Sequence, residues 1–288
     1  MKGTPKMIKD INAYHGIYKL SDCKKTRITK QDIDKIINFI KDCKLNTDNI
    51  YIDTSSLSND VPYYFDGTFL NMINYSLINK EKMHQPSVME LLRNPNVSVE
   101  ETQYDYYKRE FTITIENYLR NYEKGEIYFP IIDKKLYPLL YGIFFDKMSS
   151  DEKHFNFLRI YKECEYPQTY FSTEDIKNIA SMIPKYIIDK RKDYSIVKNE
   201  YINVYRGQES LSSTGEGAIS WTTDIKIAKF FASRFEEKGV ILSGRVHIKD
   251  IIAIFDKEYY EDGDSDPEKE ILVYPNSVTD IKIIKYSR

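Results

Sequence analysis

The stretch that best indicates the fold is Glu268-Lys269-Glu270-Ile271-Leu272-Val273, in which two carboxylates directly precede an apolar run. A short run of aliphatic residues that follows turn-forming residues is typical of a buried β-strand, and residues 262–267 (Asp-Gly-Asp-Ser-Asp-Pro) supply that turn. In an extended chain, residues i and i+2 share a face. We therefore expect Glu268 and Glu270 to lie on one face, about 6–7 Å apart.

The chain around this stretch is rich in short β-prone runs after about residue 200. They lie at residues 202–205, 218–221, 240–248, 251–255, 269–273 and 281–284. One helix is expected among them over residues 224–237, with Thr223 as its N-cap and with Ala228, Phe231, Ala232 and Phe235 on its apolar face.

Residues 1–165 are expected to be mostly helical, with irregular connections. Thr29 and Asp32 have capping-box spacing, and isoleucines follow at helical intervals over residues 33–40. The same opening recurs at Ser172 and Asp175, and a further helix is predicted over residues 101–122. Helices followed by many short strands predict an α+β fold with a boundary near residue 165, so that residues 1–165 and 166–288 form separate domains.

The composition is that of a folded protein rather than a disordered one. The chain has 288 residues, of which 41% are hydrophobic and 30% charged, and its formal net charge is −2. That net charge argues against a generally basic nucleic-acid-binding surface, but it does not exclude a local basic patch. AT-rich codon usage is the first explanation of the 25 tyrosines, and aromatic surfaces on which bases stack are the alternative.

Neither a metal nor a membrane is expected as a partner. The three cysteines, Cys23, Cys43 and Cys164, are widely spaced, and the four histidines are scattered, so no zinc site and no disulfide framework are predicted. The longest apolar run, residues 136–145, is too short to cross a bilayer. Residues 1–10 are polar and show no signal-peptide core, so a cytoplasmic location is expected.

Two polar features precede the carboxylate pair in the β-rich part. Arg206 and Gly207 end the first β-prone run, and Ser220 and Thr222 flank Trp221 on another. A guanidinium donates in a planar fork that fits phosphate oxygens, a glycine permits close backbone approach, and two hydroxyls on one strand face can hold a carboxylate or a ribose hydroxyl. Each feature alone has an ordinary explanation, namely a solvated arginine, a helix cap or a surface charge run.

The ordered set resembles the signature of arginine-type mono-ADP-ribosyltransferases, which include cholera-toxin-like and clostridial binary-toxin enzymes. That family has an arginine on one strand, Ser-Thr-Ser on a second and Glu-x-Glu before a third. Here the matches are Arg206, Ser220-Trp221-Thr222 and Glu268-Lys269-Glu270. The resemblance covers about residues 200–288. It implies a split β-sandwich core and a catalytic domain over residues 166–288, and it leaves the role of residues 1–165 open.

The resemblance also implies roles for individual residues. Glu270 would be the catalytic glutamate on the nicotinamide ribose of NAD, Glu268 would serve the acceptor, Arg206 would bind an NAD phosphate and Ser220 would orient Glu270. Further residues are expected to contact NAD or the substrate: Gly207, Thr222 and Phe231 at the NAD site, and Tyr259 and Tyr260 in the substrate loop.

The chemistry of NAD explains why such residues would be needed. Cleavage of the bond between ribose and nicotinamide creates an oxocarbenium-like centre, as in glycoside hydrolysis, and a nearby carboxylate stabilises its positive charge. A second carboxylate can orient or deprotonate the acceptor.

We therefore expect an NAD-dependent ADP-ribosyltransferase that acts as an intracellular toxin or as an effector in phage–host conflict, with a possible antitoxin protein as partner. Glu-x-Glu in the family implies an arginine of a host protein as acceptor. Nucleic acid as acceptor, water as acceptor (an NAD glycohydrolase) and a non-enzymatic binding module are the alternatives.

Overall fold

A computed structural model describes residues 9–88, 92, 101–129, 132–164, 170–208, 217–234, 239–255 and 267–284. The chain divides into two compact units that meet in sequence between Met148 and Ser149. This division lies before the expected boundary at residue 165, so the helix Ser150–Glu163 belongs to the second unit. Its Tyr161 ring stacks on Phe255 of that unit, with 6.1 Å between the ring centroids.

The first unit contains an antiparallel sheet that the sequence prediction of a mostly helical region missed. Its strands are paired in sequence order. Their bounds are Ile17–Lys19 (β1), Ile50–Asp53 (β2), Val61–Phe65 (β3) and Leu70–Met72 (β4). Both β2 and β3 are almost wholly buried, so they lack the alternation of apolar and polar residues that would reveal a half-exposed strand.

The structure gives the bounds of three α-helices in the described part of the first unit, of which the first two lie where the sequence predicts helices and the third coincides with the apolar run of residues 136–145. They are α1 (Lys30–Asp42), α2 (Gln103–Lys124) and α3 (Tyr137–Phe144). The Thr29 hydroxyl caps α1 by accepting from the backbone N–H of Asp32 at 3.1 Å. Helix α2 is followed by Gly125, which adopts the left-handed conformation that favours glycine at a helix C-terminus.

The second unit contains four helices within the described residues. They are α4 (Ser150–Glu163), α5 (Thr173–Ala180), α6 (Lys185–Lys190) and α7 (Ile225–Ala232). Ser172 and Asp175 form the expected capping box on α5. The expected cap of α7 was wrong: the helix begins at Ile225, so Asp224 and not Thr223 occupies the N-cap position, where its side chain accepts from Lys226 N–H at 2.9 Å. Phe235 lies outside the described residues.

All six β-prone runs predicted after residue 200 form strands of one antiparallel sheet. The strands are Tyr201–Gln208 (β5), Ser220–Thr222 (β6), Val240–His247 (β7), Ile251–Ile254 (β8), Glu270–Val273 (β9) and Thr279–Ile284 (β10). Their order across the sheet is β10-β7-β5-β6-β9-β8. With helices and two antiparallel sheets, the described chain is a mixed α and β protein, which agrees with the expected α+β class.

The sheet of the second unit is narrowly joined at its middle. Strands β5 and β7 pair along their whole length, whereas β5 and β6 share, within the described residues, the single register pair Tyr205↔Thr222. The sheet therefore has two three-stranded halves, β10-β7-β5 and β6-β9-β8. The backbone ladder that joins the two halves is therefore short, which leaves room for a cleft at their junction.

The core of the second unit packs around Trp221, which is 2% exposed and whose indole N–H donates to the Ala218 carbonyl at 3.0 Å. The expected alternation on β6 is confirmed, because Trp221 faces the core while Ser220 and Thr222 face the opposite side. In the described part of the chain, no helix combines the length and the apolar character that crossing a bilayer would need.

Replacing Trp221 with alanine should destabilise the second unit by about 3–5 kcal/mol, because it removes the largest buried side chain and leaves a cavity. Phe230→Ala is the matched control, since Phe230 is 58% exposed, and it should change stability little. Urea unfolding followed by circular dichroism measures both. Equal stability of the two variants would show that Trp221 is not part of a packed core.

Candidate active site

A cavity of about 250 Å³ lies at the junction of the two sheet halves. Every predicted site residue that the structure describes lines it; these residues are Arg206, Gly207, Ser220, Thr222, Phe231, Glu268 and Glu270. The two predicted substrate residues, Tyr259 and Tyr260, lie outside the described residues. The junction of β5, β6 and β9 thus brings together side chains that are far apart in sequence.

Ser220 is the residue that links the other polar groups of the cavity. Its hydroxyl donates to Glu270 Oε1 at 2.6 Å, and its carbonyl accepts from Arg206 Nη1 at 2.7 Å. Strand register explains the first bond, because Glu270 pairs with Thr222, whose side chain shares a face with that of Ser220. One serine therefore fixes a carboxylate and a guanidinium beside the same cavity.

Arg206 is half-buried in the second unit. Burial lowers the pKa of Arg206 from its ordinary value, while neighbouring Tyr161 and Glu270 act in the opposite direction. Arginine has so high an ordinary pKa that it stays protonated in proteins, so the site keeps a fixed positive charge. This partly desolvated cation can bind an anion more strongly than a solvated surface arginine can.

The backbone between the two glutamates differs from the expected extended strand. Lys269 has a φ of 45°, in the left-handed region, and β9 begins only at Glu270. Three contacts hold this conformation: Thr222 Oγ1 donates to the Glu268 carbonyl at 2.8 Å, Thr223 N–H donates to the Lys269 carbonyl at 3.1 Å, and Lys269 Nζ pairs with Asp224 at 2.9 Å. Left-handed backbone at a non-glycine residue costs about 1–2 kcal/mol, which these contacts offset.

The two carboxylates occupy different environments because of this turn. The side chain of Glu270 is 12% exposed, whereas that of Glu268 is 51% exposed. Glu270 is therefore suited to act on a group held inside the cavity, and Glu268 on a group that arrives from solvent.

Gly207 allows helix α7 to approach strand β5 closely. A Cβ atom at this position would lie 2.1 Å from the Ala228 carbonyl oxygen and 2.6 Å from the Ala232 nitrogen. The same approach brings Phe231 to the wall of the cavity. The sequence-based interpretation of Gly207 as a residue that permits close approach therefore has a structural basis, with α7 as the element that approaches.

Helix α4 contributes residues that sequence reasoning missed. Lys162 Nζ lies 3.6 Å from Glu270 Oε2 and 4.0 Å from Glu268 Oε2. Burial raises the pKa of the neighbouring Tyr161, and Glu270 raises it further, so the phenol stays protonated at neutral pH. Arg234, two residues after the end of α7, also lines the cavity. No motif in the sequence indicates these residues, because only tertiary packing brings them to the carboxylates.

The arrangement combines cations and carboxylates around a cavity that can hold part of a nucleotide. Arg206 and Arg234 can receive an anion, while Glu268 and Glu270 can receive hydroxyl groups or a cation. Within the described ranges, no group of three or more His, Cys, Asp or Glu residues is placed to hold a metal ion. The lining residues place a pair of carboxylates beside two guanidinium groups at one cavity.

Gly207→Ala should destabilise the second unit by about 1–3 kcal/mol, because the added methyl group forces α7 away from β5. Gly217→Ala is the matched control, since a Cβ there would meet no atom within 4 Å. Trp221 is the only tryptophan of the chain, so its fluorescence gives the urea midpoint of unfolding for both variants. Equal midpoints would show that α7 does not pack on Gly207.

Comparison of the chain with protein-family models, with curated proteins and with solved structures finds no match in any of the three. The function of this chain is therefore inferred from the geometry of the cavity and from the motifs that line it.

Proposed function

We propose that the second unit binds NAD in this cavity and transfers its ADP-ribose to a macromolecular acceptor, an arginine side chain of a host protein being the first choice. The observation that carries the proposal is the double role of Ser220, which joins Glu270 and Arg206 at one cavity. The same three residues form the motif that resembles arginine-type ADP-ribosyltransferases, whose split β-sandwich core we propose for this unit.

The groups around the cavity fit the parts of NAD. The guanidinium of Arg206 can pair with a phosphate of the pyrophosphate, for which its planar donors are suited. Glu270 can accept a hydrogen bond from a hydroxyl of the nicotinamide ribose. Because Ser220 already fixes Oε1 of that carboxylate, its negative charge is preorganised before the reaction begins.

The reaction exchanges one bond at the ribose for another. The bond between C1 of the ribose and the nicotinamide nitrogen breaks, and nicotinamide leaves as a neutral molecule with the electron pair. The oxocarbenium-like centre is stabilised by Glu270, and an acceptor nitrogen forms the new bond to C1. The acceptor's proton passes to Glu268, which is open enough to meet an incoming side chain and later to release the proton to water.

NAD hydrolysis is a second candidate function. Half of the Glu268 side chain is exposed, so water can reach the carboxylate that would otherwise serve a protein acceptor. In that case the same cavity acts as an NAD glycohydrolase and releases free ADP-ribose. Nucleic acid as acceptor is an outcome that the experiment below separates from both.

The biological setting follows from the reaction. An enzyme that consumes NAD or modifies proteins harms the cell in which it acts, so we propose that the protein is a cytoplasmic toxin or an effector in phage–host conflict. A toxin made inside its host needs an inhibitor until it is released, and an antitoxin protein is therefore a proposed partner.

Incubation with labelled NAD and a cell lysate should transfer label to protein, so that protease removes the label from the macromolecular fraction and nuclease does not. Glu270→Gln should reduce the transfer by at least about 100-fold, because it removes the preorganised charge while keeping the shape of the side chain. Glu174→Gln is the control, since Glu174 is an exposed carboxylate on α5.

Loss of label to nuclease alone would identify a nucleic acid as the acceptor, and free ADP-ribose alone would identify the glycohydrolase. Full activity of the Glu270→Gln variant would contradict the catalytic role of Glu270. If the wild-type protein releases no nicotinamide from NAD, the proposed function is wrong.

A further inference from the structure

Lys162 lies beside both carboxylates of the cavity, Glu268 and Glu270. Its Nζ is 3.6 Å from Glu270 Oε2 and 4.0 Å from Glu268 Oε2, and its side chain is 20% exposed. The ammonium also lies 5.0 Å from the centroid of the Phe255 ring. Lys162 is therefore held by several neighbours, among them Glu268, Glu270 and Phe255, and is not a freely moving surface lysine.

The position of Lys162 depends on how helix α4 packs. Tyr161, the preceding residue, is buried and stacks on Phe255, which fixes this turn of the helix against the second unit. The capping box of Ser149 and Glu152 fixes the other end of α4. The lysine is thus presented to the carboxylates by a well-anchored element rather than by a loop.

A positive charge at this position affects acceptors according to their charge. A guanidinium that approaches Glu268 must form its ion pair where an ammonium already lies within 4.0 Å. The Lys162 ammonium and an incoming guanidinium repel each other at such a distance. A like charge placed in a binding site in this way lowers the affinity for ligands that carry that charge. A small guanidine has no other contacts with which to offset this repulsion.

We propose that Lys162 is a specificity-determining residue that competes with cationic acceptors for Glu268. Its charge disfavours the binding of free guanidines. An arginine on a protein surface can displace Lys162 from Glu268, because the surrounding contacts of that protein supply the additional binding energy. This role rests on the proposed transferase function, since it concerns the acceptor of the same site. It explains why a lysine lies beside a carboxylate pair whose own signature requires no such residue.

A purely structural role for Lys162 predicts a different result. As an ion pair that merely holds α4 in place, Lys162 would contribute to stability and nothing to acceptor choice, so neutralising it would lower the melting temperature and leave the KM for a cationic acceptor unchanged. The two roles are separated by the KM for a small cationic acceptor compared with the KM for NAD.

The test uses the full chain with NAD and agmatine, a small guanidine, as the acceptor probe. Lys162→Met removes the charge and keeps much of the side-chain volume, and its KM for agmatine should fall about tenfold, while the KM for NAD changes much less. Lys162→Arg retains the charge and should keep the high KM for agmatine. Lys226→Met removes a charge from an exposed position on α7 and should behave as the wild type.

Thermal melting first establishes that each variant is folded, and Lys162→Gln replaces the methionine variant if that one is not. If NAD turnover persists but the KM for agmatine is unchanged or higher in the neutral variant, the role of Lys162 is wrong while the proposed function stands. An ADP-ribosyl group found on Lys162 of the wild type by peptide mass spectrometry would also overturn it, since the lysine would then be an acceptor. Absence of NAD turnover in every variant would overturn both proposals.

Discussion

Ser220 connects β5, β6 and β9 at the place where the β-ladder between β5 and β6 is weak. Within the described residues, β5 and β6 share a single register pair, so backbone pairing alone fixes little at the junction of the two sheet halves. The Ser220 carbonyl accepts a hydrogen bond from the Arg206 guanidinium of β5, and the Ser220 hydroxyl donates one to Glu270 at the start of β9. These two hydrogen bonds hold the walls of the cavity together, and they also set the positions of the charged groups that the proposed chemistry needs.

The turn at Lys269 explains how two neighbouring glutamates can have different roles. A regular strand would place both on one face with similar exposure. The left-handed backbone of Lys269 ends the strand at Glu270, which leaves Glu270 sheltered beside Ser220 and Glu268 half-exposed at the rim. Backbone strain of this kind often persists at functional sites, because surrounding hydrogen bonds over-determine the conformation.

The sequence predicted local features well and tertiary ones poorly. The strands of the second unit and the caps at Thr29 and Ser172 were found, because turn residues, apolar runs and capping spacing are local signals. The sheet of the first unit was missed, because its short and buried strands lack alternation. Lys162 was missed as well, since only the packing of α4 brings it to Glu268 and Glu270.

Hydrogen exchange measured with and without a non-hydrolysable NAD analogue tests most directly whether NAD binds beside Ser220. Binding in the cavity should slow amide exchange in β5, β6 and the first residues of β9, because the ligand would bridge the narrow junction and suppress its opening. The first unit should change little. Protection confined to residues 9–148, or no protection at saturating analogue, would contradict the assignment of this cavity as an NAD site.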